Sequence, residues 1–446
     1  MTRELLKRTT RVALVLGVVG VLATAGGCGD KPPQTTKPHA GIAGITGTAG
    51  VVGIGFDLTA KAGSISTPDG GSIPTWGYAD GGAVMQYPGP TLLVEQGDEI
   101  TVNLTNELAV PVSILFPGQR VTASGGVDGE LTREAPPGQT VSYTFVATTP
   151  GTFVYYSGTQ PELQVEMGLV GALIVRPSLG ATYAYDHAAT AFDHEYLFLL
   201  TEMDPVIHEL ATDGDFAAID FSARWPVYWF INGRTAPDTM LPDGVGWLPN
   251  QPYGSMAHMK PGERLLMRVV NAGQDLHPFH HHGNHARIIA MDGTLLESQP
   301  GAGPDLSHEV FTIQAVPGET VDAIFEWTGE KLGWDIYGDP AVRPHSCTDG
   351  NADDFDDTTK EYCPDHGKLL PVTLPSSLEL TFGGFYSGSP YLGASDLLPP
   401  GEGGNNPTAA FPFMWHSHTE KEMTNNDIFP GGMMTMVMIE SPIVGP

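Results

Sequence analysis

The segment His277-Pro278-Phe279-His280-His281-His282-Gly283-Asn284-His285 carries a His-x-His at 280 and 282, and Trp415-His416-Ser417-His418 carries another. In an extended chain, side chains two residues apart share a face, so each motif presents two imidazoles side by side. Two such strands placed next to each other would converge four neutral nitrogen donors on one point. Imidazole-rich sites suit copper, zinc, iron or nickel, with copper(II) first in intrinsic affinity. One His-x-His is weak evidence. Two of them predict a metal site at His280, His282, His416 and His418, against the plainer reading of surface histidines on polar strands.

Outward from this cluster the chain reads as short strands joined by turns. Upstream, Lys260-Pro261-Gly262-Glu263 turns into an alternating strand that ends at Asn271; Gln96-Gly97-Asp98-Glu99 does the same and ends at Asn106. The repeat predicts two copies of one sandwich. Strands are expected at 91–94, 99–104, 140–148, 152–156 and 171–175, with order beginning near Phe56. A second set is expected at 194–203, 230–233, 264–270, 287–290, 309–313, 320–327, 413–418 and 433–439. Residues 53–180 and 190–446 therefore form two Greek-key β-sandwich domains, the second interrupted by an insertion at about 337–410.

Composition agrees. The 446 residues include 56 glycines and 38 prolines, only 16% are charged and 41% are hydrophobic, which favours an all-β globular chain. A net charge of −30 argues against nucleic acid as a partner, since phosphates demand a basic footprint.

Residues 1–28 read as an export signal: Arg3, Lys7, Arg8 and Arg11, then an apolar run over 12–22 that is too short to span a bilayer. Ala25-Gly26-Gly27-Cys28 resembles a lipobox and makes Cys28 a lipidation candidate, while Ala23-Thr24-Ala25 suits ordinary cleavage. Residues 29–52 read as a flexible Gly-rich tether. The expected location is the bacterial cell envelope, lipid-anchored at the outer membrane or cell surface, or the periplasm. Cys347 and Cys363 are expected to pair as a disulfide in an oxidising compartment, with a Cys363-x-x-His366 metal pair as the alternative. Asp353-Asp354-Phe355-Asp356-Asp357 reads as a solvated acidic loop, or as hard oxygen ligands for calcium.

The two histidine segments resemble the paired C-terminal motifs of the multicopper oxidases, a cupredoxin-fold family. His277, Pro278, His280, His282 and Gly283 match its His-Pro-x-His-x-His-Gly, and His416 and His418 match its His-Cys-His. Tyr87-Pro88-Gly89-Pro90-Thr91 and Gly151-Thr152-Phe153-x-Tyr155 resemble its N-terminal domain. The resemblance implies copper, and it implies what is missing. The family's type-1 copper needs a cysteine where this chain has Ser417, and a histidine where it has Glu422. His277 is thereby left without its metal partners. Ser113-Ile114-Leu115-Phe116 and Tyr155-Tyr156-Ser157-Gly158 stand where the N-terminal histidine pairs belong.

The expected protein is thus an exported copper-binding relative with one four-histidine site, an oxidoreductase of one-electron type if active, and no four-electron laccase. Its catalytic residues are unknown. His277, His285, Tyr156 and Glu422 are candidates to support the metal ligands from behind. Met434, Met436 and Met438 share a strand face, read as core or as a thioether site for copper(I). A structural or interaction protein of the envelope with a vestigial metal, and a zinc- or copper-dependent hydrolytic site, are the alternatives. The expected partners are a metal ion, a redox partner or small-molecule substrate, a membrane through the lipid anchor, and a second copy of the chain.

Overall fold

The computed structural model describes residues 50–338, 340–341, 344–369 and 411–440. The export segment, Cys28, most of the tether and the later part of the insertion lie outside the described residues. The chain folds as the predicted all-β pair of sandwiches. In the first, a five-stranded sheet runs Ser72–Asp80, Gly55–Ser66, Glu99–Asn106, Thr140–Val146, Thr122–Gly125. A four-stranded sheet, Val51–Val52, Leu92–Glu95, Val170–Arg176, Gly151–Tyr156, faces it. Alternation drives the packing: in Glu99–Asn106 every second residue is buried, and Ile100, Val102 and Leu104 meet Leu92, Phe153 and Leu173 in one core.

In the second sandwich Tyr228–Ile231, His194–Met203, Arg264–Asn271, Thr320–Glu326 and Ala286–Met291 are successive neighbours in one sheet. Opposite lies Ala257–Met259, Met434–Ile439, Phe411–Ser417, His277–His281, Thr312–Ala315. Leu265, Met267 and Phe325 pack there against Phe279, Trp415 and Val437. Trp415 is fully buried, with its ring 5.1 Å from that of Phe325 and 5.5 Å from that of Phe198. Truncating such a side chain costs about 3–5 kcal/mol.

The two sandwiches share more than topology. Asn106 and Asn271 end equivalent strands, and both are fully buried. Asn106 donates to the carbonyls of Val110 and Ala135 and accepts from the Leu108 amide. Asn271 donates to Asp275 and Ala315 and accepts from Gly273. An asparagine amide can bridge three backbone groups that the end of a strand leaves unpaired. The shared phrase in the sequence therefore encodes one hydrogen-bonding device used twice.

A buried polar lattice joins the halves. Arg176 pairs with Glu195, which also takes Arg268 at 2.9 Å. Arg268 donates to Thr152 (2.8 Å), and Thr152 and Tyr185 both donate to Asp322 (2.6 Å each). Thr152 and Arg176 belong to the first sandwich; Glu195, Arg268 and Asp322 belong to the second.

Several elements depart from expectation. Leu58–Ser66 pairs with Ser72–Asp80, a hairpin outside the expected strands. Val51 and Val52, at the end of the presumed tether, pair with Leu92 and Leu93, so order begins before Phe56. A helix, Pro205–Asp213, is capped by the Asp204 side chain and stopped by Gly214 at φ 76°. The expected strand at 309–313 is two, His308–Val310 and Thr312–Ala315, with Phe311 exposed between them. The strand carrying His416 ends at Ser417.

Candidate metal centre

His277–His281 and Phe411–Ser417 are adjacent antiparallel strands, and His280 stands directly opposite His416. Phe279 and Trp415 point into the sandwich core, so the even-numbered His280 and His416 point the other way. His282 and His418, one residue beyond each strand, complete the group. His282 Nε2 lies 3.3 Å from His416 Nε2. Ring centroids are 4.9 Å apart for His280–His282 and His280–His418, and 5.4 Å for His280–His416. One potential ligand atom each from His280, His282 and His416 lie within 4.8 Å of one another. His418 is at the rim, its side chain 55% exposed and 3.7 Å from Glu420.

The cluster is oriented from behind. His280 Nδ1 is 2.8 Å from Thr312 Oγ1, and His416 Nδ1 is 2.7 Å from the Ser417 carbonyl. Each Nδ1–H used this way leaves Nε2 with a free lone pair, the tautomer a metal ligand requires. Burial, and then the neighbouring imidazoles, push His280 and His416 down to about 4, so both are neutral at physiological pH. The donor set fits a transition ion. Two nitrogens on one tetrahedral centre sit about 3.3 Å apart, the spacing shown by His282 and His416.

On the opposite face His277 is engaged in hydrogen bonds. His277 is fully buried, with Nε2 2.8 Å from Glu202 Oε2 and Nδ1 2.9 Å from Glu422 Oε2. It is therefore not without partners. Burial alone would push its imidazole down, but hydrogen bonds to Glu202 and Glu422 outweigh this and raise it to about 9. Burial likewise opposes ionisation of Glu202, yet His277, with Arg224 behind it, holds that carboxyl below its ordinary range. Arg224 also meets Glu166 at 2.7 Å and Asp275 at 3.2 Å. Ser417 is buried beside this face and accepts a hydrogen bond from the Thr419 amide. An imidazolium is thus held between two carboxylates on this face. Glu202 and Arg224 carry no motif and were not foreseen.

In the N-terminal sandwich the two depleted segments still lie side by side, with Leu115 bridged to Tyr156. Ser113, Ser157 and Thr159 hydrogen-bond there, to one another and to Gln164 and Gly158. Tyr155 is core, its hydroxyl donating to the Pro90 carbonyl. Tyr156 packs against the apolar cluster of Val154, Leu197 and Phe230 between the sandwiches. His285 is exposed, its ring 5.6 Å from that of Phe311, which in turn lies 5.9 Å from His280. His281 is buried on the core side against Trp415 and Phe325.

Met434, Met436 and Met414 are buried on the histidine face, beneath Ala236 and Met240, rather than in the sandwich core. Cys347 and Cys363 form a disulfide. Asp356 accepts backbone amides of Thr348, Thr358 and Thr359, so its carboxylate organises its own loop. His366 joins a different group, with Asp335, His345 and Glu361.

Comparison with known proteins places these features. Residues 66–179 match the family model described as multicopper oxidase. Laccase-3 of Oryza sativa subsp. japonica is 27% identical over 65% of this chain and 48% of its own length. Multicopper oxidase MCE of Talaromyces pinophilus is 34% identical over 42% of this chain and 29% of its own. The chain therefore spans less than half of either relative. Among solved structures, the blue copper oxidase from Nitrosomonas europaea superposes with a TM-score of 0.51 at 19% identity, covering 86% of this chain and 85% of that one, a likeness of fold.

Proposed function

We propose that the chain is a multicopper-oxidase-like protein of cupredoxin fold, exported and copper-binding, with a single histidine centre and no type-1 site. His280, His282 and His416 would hold the ion, with His418 closing it from the rim. Bound copper supplies a one-electron redox couple. The protein keeps His280 and His416 neutral and correctly turned through Thr312 and the Ser417 carbonyl.

The observation that carries this reading is the Glu202–His277–Glu422 triad. It fills the position from which the family's oxidases feed single electrons into their cluster. With the N-terminal histidines replaced as well, the four-electron route lacks both its entry and half its ligands. One-electron exchange with a partner or small molecule is the activity left open to this site. Lipidation at Cys28, envelope location and self-association are parts of the same proposal.

The test is metal analysis and spectroscopy of the full chain beside His280→Ala/His416→Ala. Stoichiometric copper in the wild type, with an axial paramagnetic signal and no intense band near about 600 nm, is expected, and loss of that copper in the variant. A blue band, zinc at the histidine centre, or copper unaffected by the double substitution would overturn it.

A further inference from the structure

The insertion holds a second convergence of ligand types. Asp335, His345, Glu361 and His366 each direct one atom to a common point, all within 4.8 Å of one another. His345 Nε2 is 3.1 Å from Asp335 Oδ2 and 3.6 Å from Glu361 Oε2. His366 Nδ1 is 2.8 Å from Glu361 Oε1 and 3.6 Å from Asp335 Oδ2. The imidazole rings meet edge-on at 4.9 Å. Asp335 and Glu361 are 3% and 1% exposed.

As a set of hydrogen bonds this arrangement is incomplete. Glu361 Oε2 is buried without a hydrogen-bond donor, a condition that is expensive for a carboxylate. Among the described residues, neither carboxylate pairs with a lysine or arginine; Lys368 pairs instead with Asp365. A divalent ion at the common point would neutralise both buried carboxylates, take a lone pair from each imidazole and use the idle oxygen.

The donor set selects the ion. Two imidazoles disfavour calcium and magnesium, which take oxygen ligands, whereas zinc accepts four N/O donors in a closed tetrahedral site. The supports are also present. Asp335 is held by the amides of Tyr337 and Gly367 at 2.8 and 2.9 Å. Ile336 and Tyr337 are part of the second sandwich core, so Asp335 is anchored to it. His345, Glu361 and His366 flank the Cys347–Cys363 disulfide.

We propose that Asp335, His345, Glu361 and His366 form a structural zinc site that ties the disulfide-closed insertion to the second sandwich. It shares no residue with the histidine centre, and its fate is separate from the copper reading.

The test is zinc titration of the chelator-stripped full chain in the His280→Ala/His416→Ala background, where one tightly held equivalent is expected. Adding Glu361→Gln/His366→Ala should weaken zinc by about 100-fold or more, beyond the 10–100-fold effect of losing an outer-shell partner. X-ray absorption should show a nitrogen–oxygen shell with imidazole scattering and no sulfur, and zinc should protect residues 335–369 from protease. Glu361→Gln alone, in the wild-type background, guards against misfolding. It removes the like-charge contact, so the zinc-free variant should melt no lower than zinc-free wild type while losing zinc-dependent stabilisation. Unchanged zinc affinity in folded Glu361→Gln/His366→Ala, or sulfur in the shell, would overturn the proposal.

Discussion

The two faces of one strand pair carry opposite solutions to burying histidine. On the face built by His280 and His416, imidazoles are neutral, oriented through Nδ1, and aimed at one another. On the face built by His277 and Ser417, the imidazole is held charged between Glu202 and Glu422. Two-residue periodicity keeps these environments a peptide plane apart yet chemically independent. The difference teaches that one strand pair can hold an ion triad on one face beside converging neutral imidazoles on the other. A buried charge needs a partner, and here two carboxylates supply it.

The comparison is best broken at its charged face. Glu202→Ala leaves imidazolium and Arg224 facing a void and should destabilise the fold by about 3–5 kcal/mol. Urea unfolding measures this, and copper stoichiometry should stay at the wild-type value. Any loss of copper would show that the faces are coupled.

The pH dependence sharpens the same point. His277 is raised from 6.5 to about 9 in the fold. Its contribution is therefore present in full below about 6.5 and is lost as pH rises through about 9, on the order of 3 kcal/mol in all. Denaturation midpoints across that window should fall in the wild type and flatten in His277→Leu.

On the neutral face, Thr312→Val removes the group that turns His280. Copper affinity should drop by about 10–100-fold with little change in the stability of the metal-free protein. Isothermal titration resolves the two. The smallest effect is expected from Ser417→Cys. Restoring the thiol alone should give no intense band near about 600 nm, because His277 remains locked to Glu202 and Glu422.

Legibility in the sequence followed the range of the interactions involved. The His-x-His pairs were readable because a period of two is local, and the turn–strand–Asn phrase because its hydrogen bonds are short-range on one side. Glu202 was not, since its link to His277 crosses between sheets and leaves no pattern in either strand. The Gly55–Ser66 hairpin was missed because glycine, alanine and serine blur its alternation. The helix after Asp204 has its cap, proline and stop glycine in the sequence, but at nine residues it is a short interruption between two strands of a β-rich chain. In the insertion, ligands at 335, 345, 361 and 366 follow no repeat; only folding around the disulfide brings them together.

The lattice of Arg176, Glu195, Arg268, Thr152 and Asp322 has a mechanical consequence. Those ion pairs span the junction beside a shared apolar cluster of Tyr87, Val154, Leu199 and Phe230, and opening it would expose that apolar surface to water, so the halves should melt in a single calorimetric transition and should not hinge. The imidazoles, with exposed Phe311 and His418 beside them, therefore sit on a frame that does not open by a swing of one half against the other.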